Sequence, residues 1–314
     1  MKKKAIIISI KGYQLTQKER MLLEKEKPWG LILFKRNIQS LKQLKRLIKK
    51  IRKFSQDKKF PIMIDEEGPS VSRLNNIIDN NISQKFFGDL YSVNPELSLY
   101  FYSKYLKKII KTLKQIGINI NTVPVLDVIR KNTSKIIGNR SFSTDPKVVK
   151  LLGKKCVAEY QSNNIATVIK HVPGHGCASI DSHLQMPKVY SSFKNLNNYD
   201  FLPFKSNKSL FAMTAHILYL NIDKKNVATF SKKIISKIIR KEIGFKGIII
   251  SDDISMKALK YDLVTNAKKS LSAGCNLVLY CAGNYLDCIK LMKEIPFIDK
   301  FTQKKTSEFY KFLS

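Results

Sequence analysis

Short apolar runs alternate with longer amphipathic stretches along the chain. The runs are AIIISI (5–10), LILF (31–34), PIMID (61–65), ININ (118–121) leading into VPVLD (123–127), ATVIKH (166–171), LFAMTAH (210–216), GIIISDD (247–253) and NLVLYC (276–281). Their length and their wealth of Ile and Val read as strands. Between them, residues 40–54, 94–116, 147–162, 231–242 and 256–272 are amphipathic with helical spacing. In SLKQLKRLIKKIRKF (40–54), Leu41, Leu44, Leu47, Ile48 and Ile51 share one face and basic residues fill the rest. Strand then helix, repeated, means a parallel sheet with helical crossovers. Eight repeats in 314 residues predict an α/β fold, a single-domain (β/α)8 TIM-type barrel over residues 1–314. An open doubly wound sheet would carry a glycine-rich fingerprint after its first strand. Here that strand runs into Lys11-Gly12-Tyr13, and the nearest approach, GHGCAS (174–179), lacks the third glycine.

Composition narrows the class. Hydrophobic residues are 44% of the chain, enough for a large core and too many for a disordered basic tail. No apolar run reaches the ~18–20 residues that cross a bilayer, so no membrane span is expected. Met1-Lys2-Lys3-Lys4 before AIIISI has the outline of a signal peptide, but the apolar stretch stops at Lys11 and no small-x-small site follows. We read a strand behind a basic cap, and a cytoplasmic protein. Five cysteines (Cys156, Cys177, Cys275, Cys281, Cys288), odd in number and without a CxxC, suggest neither a disulfide framework nor a zinc site.

The formal charge is +33, from 57 Lys+Arg against 24 Asp+Glu. Such an excess invites nucleic acid, because Lys and Arg that neutralise phosphates release counterions. Its distribution argues otherwise. Residues 1–60 hold 19 basic and 4 acidic residues, whereas 61–120 hold 7 and 6. Much of the first block is the polar face of 40–54, which reads as a solvated helix face, and no basic patch interleaved with aromatics appears. No nucleic-acid partner is expected.

In a (β/α)8 barrel the chemistry sits at the C-terminal ends of the strands. Asp65, Asp127, Lys170-His171, His216 and Asp252-Asp253 all fall there. Any one of them is explained as a helix cap, and for Asp253 before ISMKAL the cap reading is as good as a functional one. Five strands at once point to a shared pocket. The four histidines, His171, His175, His183 and His216, lie within 46 residues, and three share the loop KHVPGHGCASIDSH (170–183). Its Pro173, Gly174 and Gly176 forbid a regular helix.

Three chemistries compete for this loop. His171 and His175 have the i, i+4 spacing of zinc ligands, but Pro173 and Gly174 intervene and no HExxH glutamate is present. Asp181-Ser182-His183 suggests a serine hydrolase, but adjacent residues of an extended loop diverge and there is no GxSxG elbow. The third is acid/base work by His183, its tautomer held by Asp181 two residues away on the same side. A separate strand-end carboxylate, Asp252, would attack a carbon centre whose leaving oxygen His183 protonates. That is the logic of a retaining glycosidase with imidazole in place of the second carboxylic acid.

KHVPGHG (170–176), DSH (181–183), Pro187, MTAH (213–216) and FKGIIISDDISMKAL (245–259) closely resemble the glycoside hydrolase family 3 β-N-acetylhexosaminidases of the peptidoglycan-recycling type. Upstream, GLILFKRN (30–37), IDEEGPSVSR (64–73), NTVPVLDV (121–128) and IGNRSFSTDP (137–146) match the family in the same order, and the resemblance spans about residues 28–282. It implies that Asp252 is the nucleophile, Asp253 a supporting residue, His183 the loop-borne general acid/base and Asp181 its partner. It further implies that Asp65, Arg73, Arg140, Lys170 and His171 hold the N-acetylglucosamine, with His175 and His216 as loop or pocket supports. The implied activity is hydrolysis of the bond between N-acetylglucosamine and (1,6-anhydro-)N-acetylmuramic acid in muropeptides, by a monomer with no metal and no cofactor. One alternative is a phosphorylase of the same family. Another, from a different class, is a non-catalytic sugar- or nucleic-acid-binding protein. The chain departs from the family at Glu67-Gly68-Pro69-Ser70-Val71, where a second glycine is usual; proline fixes φ in the turn that presents Asp65 and Arg73. A leucine, Leu220, stands where the family often has proline.

Overall fold

The computed structural model describes residues 2–178 and 186–314. The strands are β1 (Lys4–Ile8), β2 (Pro28–Leu33), β3 (Ile62–Ile64), β4 (Ile120–Asn121), β5 (Ala166–Val172), β6 (Lys188–Val189), β7 (Phe211–Thr214), β8 (Leu218–Tyr219), β9 (Ile248–Asp253) and β10 (Leu277–Leu279). Eight of them close into a parallel barrel in the order β1-β10-β9-β7-β5-β4-β3-β2, and β6 and β8 form a two-stranded sheet beside it. Each predicted run supplies one barrel strand. Ile6, Ile7, Leu31, Ile62, Ile64, Val168, Ile249 and Ile250 are almost completely buried, as expected where one sheet face fills the barrel and the other is covered by helices.

Local signals start and stop the helices. Ser40 caps Leu41–Phe54, whose buried residues are Leu44, Leu47, Ile48 and Ile51. Asn94 with Pro95 opens Pro95–Ile116, and Gly117, with φ 97°, ends it in the left-handed region. Asp145 with Pro146 opens Pro146–Gln161. Two expectations are corrected. The run 118–127 is a strand only at Ile120–Asn121, with a single further bridge from Val125 to Lys170, because Pro124 has no N–H for the ladder. The stretch 256–272 is a helix only from Leu263 onward, since Asp262 caps it there; residues 254–261 form turns. Asp253 accordingly caps a turn, accepting from the Ser255 amide at 3.1 Å, and not a helix.

At the end of the barrel where the strands begin, Trp29 is fully buried between Phe211 and Phe309, with ring centroids 5.6 and 6.1 Å away. Its Nε1 donates to Thr306 Oγ1 at 2.9 Å, so the C-terminal helix Lys300–Phe312 closes this end. No helix among the described residues is long and apolar enough to cross a membrane.

The helix Gln84–Val93 reaches the other end. Gly88 in it lies so close to the Phe142 backbone that an added Cβ would stand 1.8 Å from the Phe142 carbonyl oxygen. Gly88→Ala must push this helix away from residues 140–142, an overpacking that typically costs about 1–3 kcal/mol. Urea unfolding of this variant should show a loss in that range; an unchanged midpoint would refute the close packing.

Candidate active site

The side chains at the C-terminal strand ends form one charged cluster. Asp65 follows β3. Its Oδ2 accepts from Arg73 Nη2 at 3.0 Å, and its Oδ1 accepts from Thr122 Oγ1, with Lys170 Nζ 3.5 Å away. Burial pushes its carboxyl up, but the Lys170 and Arg73 cations outweigh burial and hold it well below the usual carboxylate range. Glu67 is buried as well. It receives Nε and Nη2 of Arg140 at 2.7 and 3.0 Å and also binds Lys170 Nζ. Its carboxyl too is lowered against the effect of burial, by Arg140 and then Lys170. Among the described residues, three of the five Arg140 N–H donors are engaged, two by Glu67 and one by the Ile136 carbonyl.

Between Asp65 and Arg73 the chain turns back on itself. Gly68 and Val71 exchange backbone hydrogen bonds at 3.1 and 3.3 Å around Pro69-Ser70. Proline is well placed there, since it presets φ at the first central position of a turn. Ser70 Oγ donates to Asn139 Oδ1 at 2.6 Å, tying the turn to the segment that bears Arg140. Glu66 fastens the return: its carboxylate accepts from Ser72 Oγ and from the Arg73 and Leu74 amides at 2.8–2.9 Å.

A second group is built on β5 and the segment after β4. Asp127, fully buried, accepts from His171 Nδ1 at 2.7 Å and from the His175 amide at 2.6 Å. This places the His171 proton on Nδ1, and Nε2 has no hydrogen-bond partner among the described residues. His175 is also buried, and burial, its largest influence, depresses its imidazole to about 4 despite the Asp127 carboxylate nearby.

The third group ends β9. Among the described residues only the Asp253 amide, at 2.8 Å, donates to Asp252. Burial raises the Asp252 carboxyl, but His216, His171 and Lys170 together bring it below its ordinary value. Asp253 is used structurally: it accepts from Ser255 Oγ at 2.7 Å and from the Cys281 amide at 3.2 Å, and burial raises its carboxyl. His216 bridges Thr229 Oγ1 at 2.7 Å and the Asp253 carbonyl at 3.0 Å.

One cavity unites these groups, with Asp65, Arg140, Lys170, His171, His175 and Asp252 in its wall. Asp65, Arg73, Arg140, Lys170, His171 and Asp252, scattered over 188 positions of the sequence, therefore converge. Asp181 and His183 lie outside the described residues. Two residues with clear positions in the cluster were not assigned a part from the sequence. Glu67 stands in the quoted IDEEGPSVSR, and Asp127 was noted only as a polar strand end. In each case the sequence signal was one of place alone: Glu67 lies two residues after Asp65, and Asp127 ends an apolar run. The five cysteines are free thiols, and the described residues contain no cluster of three or more metal-ligating side chains.

Carboxylates, cations and histidines ringed at the strand ends of a closed (β/α)8 barrel define a barrel hydrolase with a pocket for a polar substrate. The chain belongs to glycosyl hydrolase family 3, whose N-terminal domain signature matches residues 3–302, and is a β-N-acetylhexosaminidase. It is 34% identical over 281 residues to a beta-hexosaminidase of Nitrosomonas eutropha, covering 88% of this chain and 80% of that one. To the beta-hexosaminidase of Actinobacillus succinogenes it is 33% identical over 319 residues, covering 98% and 90%. The crystal structure of NagZ from Neisseria gonorrhoeae in complex with N-trifluoroacetyl-D-glucosamine superposes with a TM-score of 0.88 at 28% identity, covering 100% of this chain and 91% of that one.

Neutral burial of His175 has a pH signature. In the unfolded chain its pKa is near 6.5, so between pH 6.5 and about 4 the unfolded state binds a proton that the folded state refuses. Stability contributed by this group is present above pH 6.5 and lost as pH falls through that window, by roughly 3 kcal/mol at pH 4. The difference in unfolding free energy between the parent and His175→Gln should therefore shrink by about that amount from pH 7 to pH 4. A difference independent of pH would refute the assignment.

Proposed function

We propose that the protein is an exo-acting, retaining β-N-acetylglucosaminidase that removes N-acetylglucosamine from the non-reducing end of muropeptides. The aglycone is 1,6-anhydro-N-acetylmuramic acid, with or without peptide. We place the enzyme in the cytoplasm, as a monomer in which residues 1–314 form one catalytic domain without metal or cofactor. The observation that carries this reading is Asp252: a half-buried carboxylate kept ionised at the end of β9, in the wall of the same cavity as Asp65, Lys170 and His171. The N-acylated glucosamine in the Neisseria gonorrhoeae structure supports the choice of sugar.

In this mechanism an Asp252 carboxylate oxygen attacks the anomeric carbon as the bond to the aglycone oxygen breaks. That oxygen takes a proton from His183, whose tautomer Asp181 holds. Water then gives a proton to His183 and its oxygen attacks the same carbon, releasing Asp252 and a sugar of retained configuration. Asp65 accepts from sugar hydroxyls, while Arg73, Arg140 and Lys170 donate to them. His171 adds its Nε2. Charge-assisted bonds of this kind discriminate between sugars better than apolar contact does.

Asp252→Ala should lower kcat/KM on an aryl N-acetylglucosaminide by about 10⁴-fold or more in a folded protein. A 2-acetamido-2-deoxy-5-fluoro sugar should be trapped on the Asp252 peptide of the parent, as read by mass spectrometry. A label on any other residue would overturn the role. For His183→Ala the loss should be about 10²–10⁴-fold on a substrate with a poor leaving group and much smaller on an activated aryl glycoside. Equal losses on both substrates would remove His183 as the acid.

A further inference from the structure

At the end of the barrel where β3 and β4 begin, opposite the cavity just described, a groove of about 600 Å3 runs between the helices Leu41–Phe54 and Pro95–Ile116. Its walls carry Lys45, Lys49, Arg52, Lys53, Lys58 and Lys114 and no acidic side chain. The helix Leu41–Phe54 has seven basic residues and no acidic one. Lys45, Lys49 and Lys53 recur every fourth residue, roughly 6 Å apart along the axis. Like charges at this spacing repel one another. Elsewhere the protein pairs lysines on helix surfaces with carboxylates, as in Lys85–Asp89, Lys155–Glu159 and Lys305–Glu308. None of the six groove cations is in an ion pair among the described residues. Asp57, the carboxylate nearest Arg52 in sequence, is engaged by Lys3 at 2.7 Å. Arg52 itself donates to the Gly117 carbonyl at 2.7 Å, and its Nε is buried without a partner.

We propose that this groove binds a linear polyanion of the condensed-phosphate type. Charge complementarity selects an anion, and the extended, concave row of cations selects a chain over a single ion. Two other polyanions fit less well. Single-stranded nucleic acid is held by aromatic side chains on which bases stack, and the groove has none. An anionic membrane needs an outward apolar face beside the cations, whereas the apolar residues here, Ile48 and Ile116, are 2% and 3% exposed.

Inorganic tripolyphosphate is the probe, with the full chain and calorimetric titration as the readout. It should bind the parent and raise its melting temperature beyond sodium chloride of equal ionic strength. The exposed-lysine variant K45Q/K49Q/K53Q should bind about tenfold more weakly or worse, since each lost surface charge pair is worth a few tenths to 1 kcal/mol. K237Q/K241Q, which removes an exposed i, i+4 lysine pair from the helix Ile234–Glu242, should bind within threefold of the parent. Both variants should keep aryl N-acetylglucosaminidase activity, which reports folding independently of the groove. Equal loss in the two variants would reduce the effect to diffuse net charge and overturn the proposal. So would tighter binding of oligo-thymidylate or of anionic phospholipid vesicles than of tripolyphosphate.

Discussion

The structure turns on the buried exchange of charge among Glu67, Lys170 and Arg140, extended through Asp65 to Arg73. A lone ion in such a place would be expensive, because leaving water costs it several kcal/mol before any partner is met. Each member of the cluster is tolerable only because the others surround it. Lys170 sits at the centre, 3% exposed, touching both Glu67 and Asp65. The cations keep the carboxylates ionised against the effect of burial, and the same field reaches Asp252, whose carboxyl is lowered in part by Lys170. One arrangement therefore prepares a polar pocket and an ionised acid without a separate device for either.

That cluster needs a frame rigid enough to hold it, since misplaced buried ions would be left unpaired. The barrel supplies the frame with strands that are apolar on both faces and short at the points where polar residues begin. Strand β3 ends at Ile64 and the next residue is Asp65; β9 carries its apolar stretch up to Ser251 before Asp252 and Asp253. Turn chemistry then directs the side chains. The Glu66 carboxylate gathers the amides of Arg73 and Leu74, so the chain that leaves β3 must return close to its origin. Pro69 in place of a second glycine is accommodated because the turn uses it where proline's φ is already suitable.

The two ends of the barrel use charge in opposite ways. Around the cavity, positive and negative groups alternate and nearly cancel. At the other end the cations of the helix Leu41–Phe54 stand together on an exposed face. The large net charge of the chain thus says little about the candidate pocket. The four histidines were more informative: His171 and His175 share Asp127, and His216 holds the carbonyl of Asp253, the residue after Asp252.

The strands, the barrel and the strand-end residues were readable from the order of residues because they depend on local pattern: apolar runs of strand length, helical periodicity between them, and Asp, Lys or His where each run stops. The family resemblance added roles to strand-end positions that this pattern had already picked out, and it alone brought in Arg73 and Arg140. What the order of residues left open was which charges meet. Glu67 and Arg140 are 73 positions apart, and Asp127 and His171 are 44 apart. No periodicity encodes such pairs, because their contact exists only after eight strands close and bring four loops to one rim. The late start of the helix at Leu263 and the early end of regular pairing at Asn121 have the same origin. Capping by Asp262 and the lost donor of Pro124 are local facts, but their weight against a continuing apolar pattern is settled only when the neighbouring strands are in place.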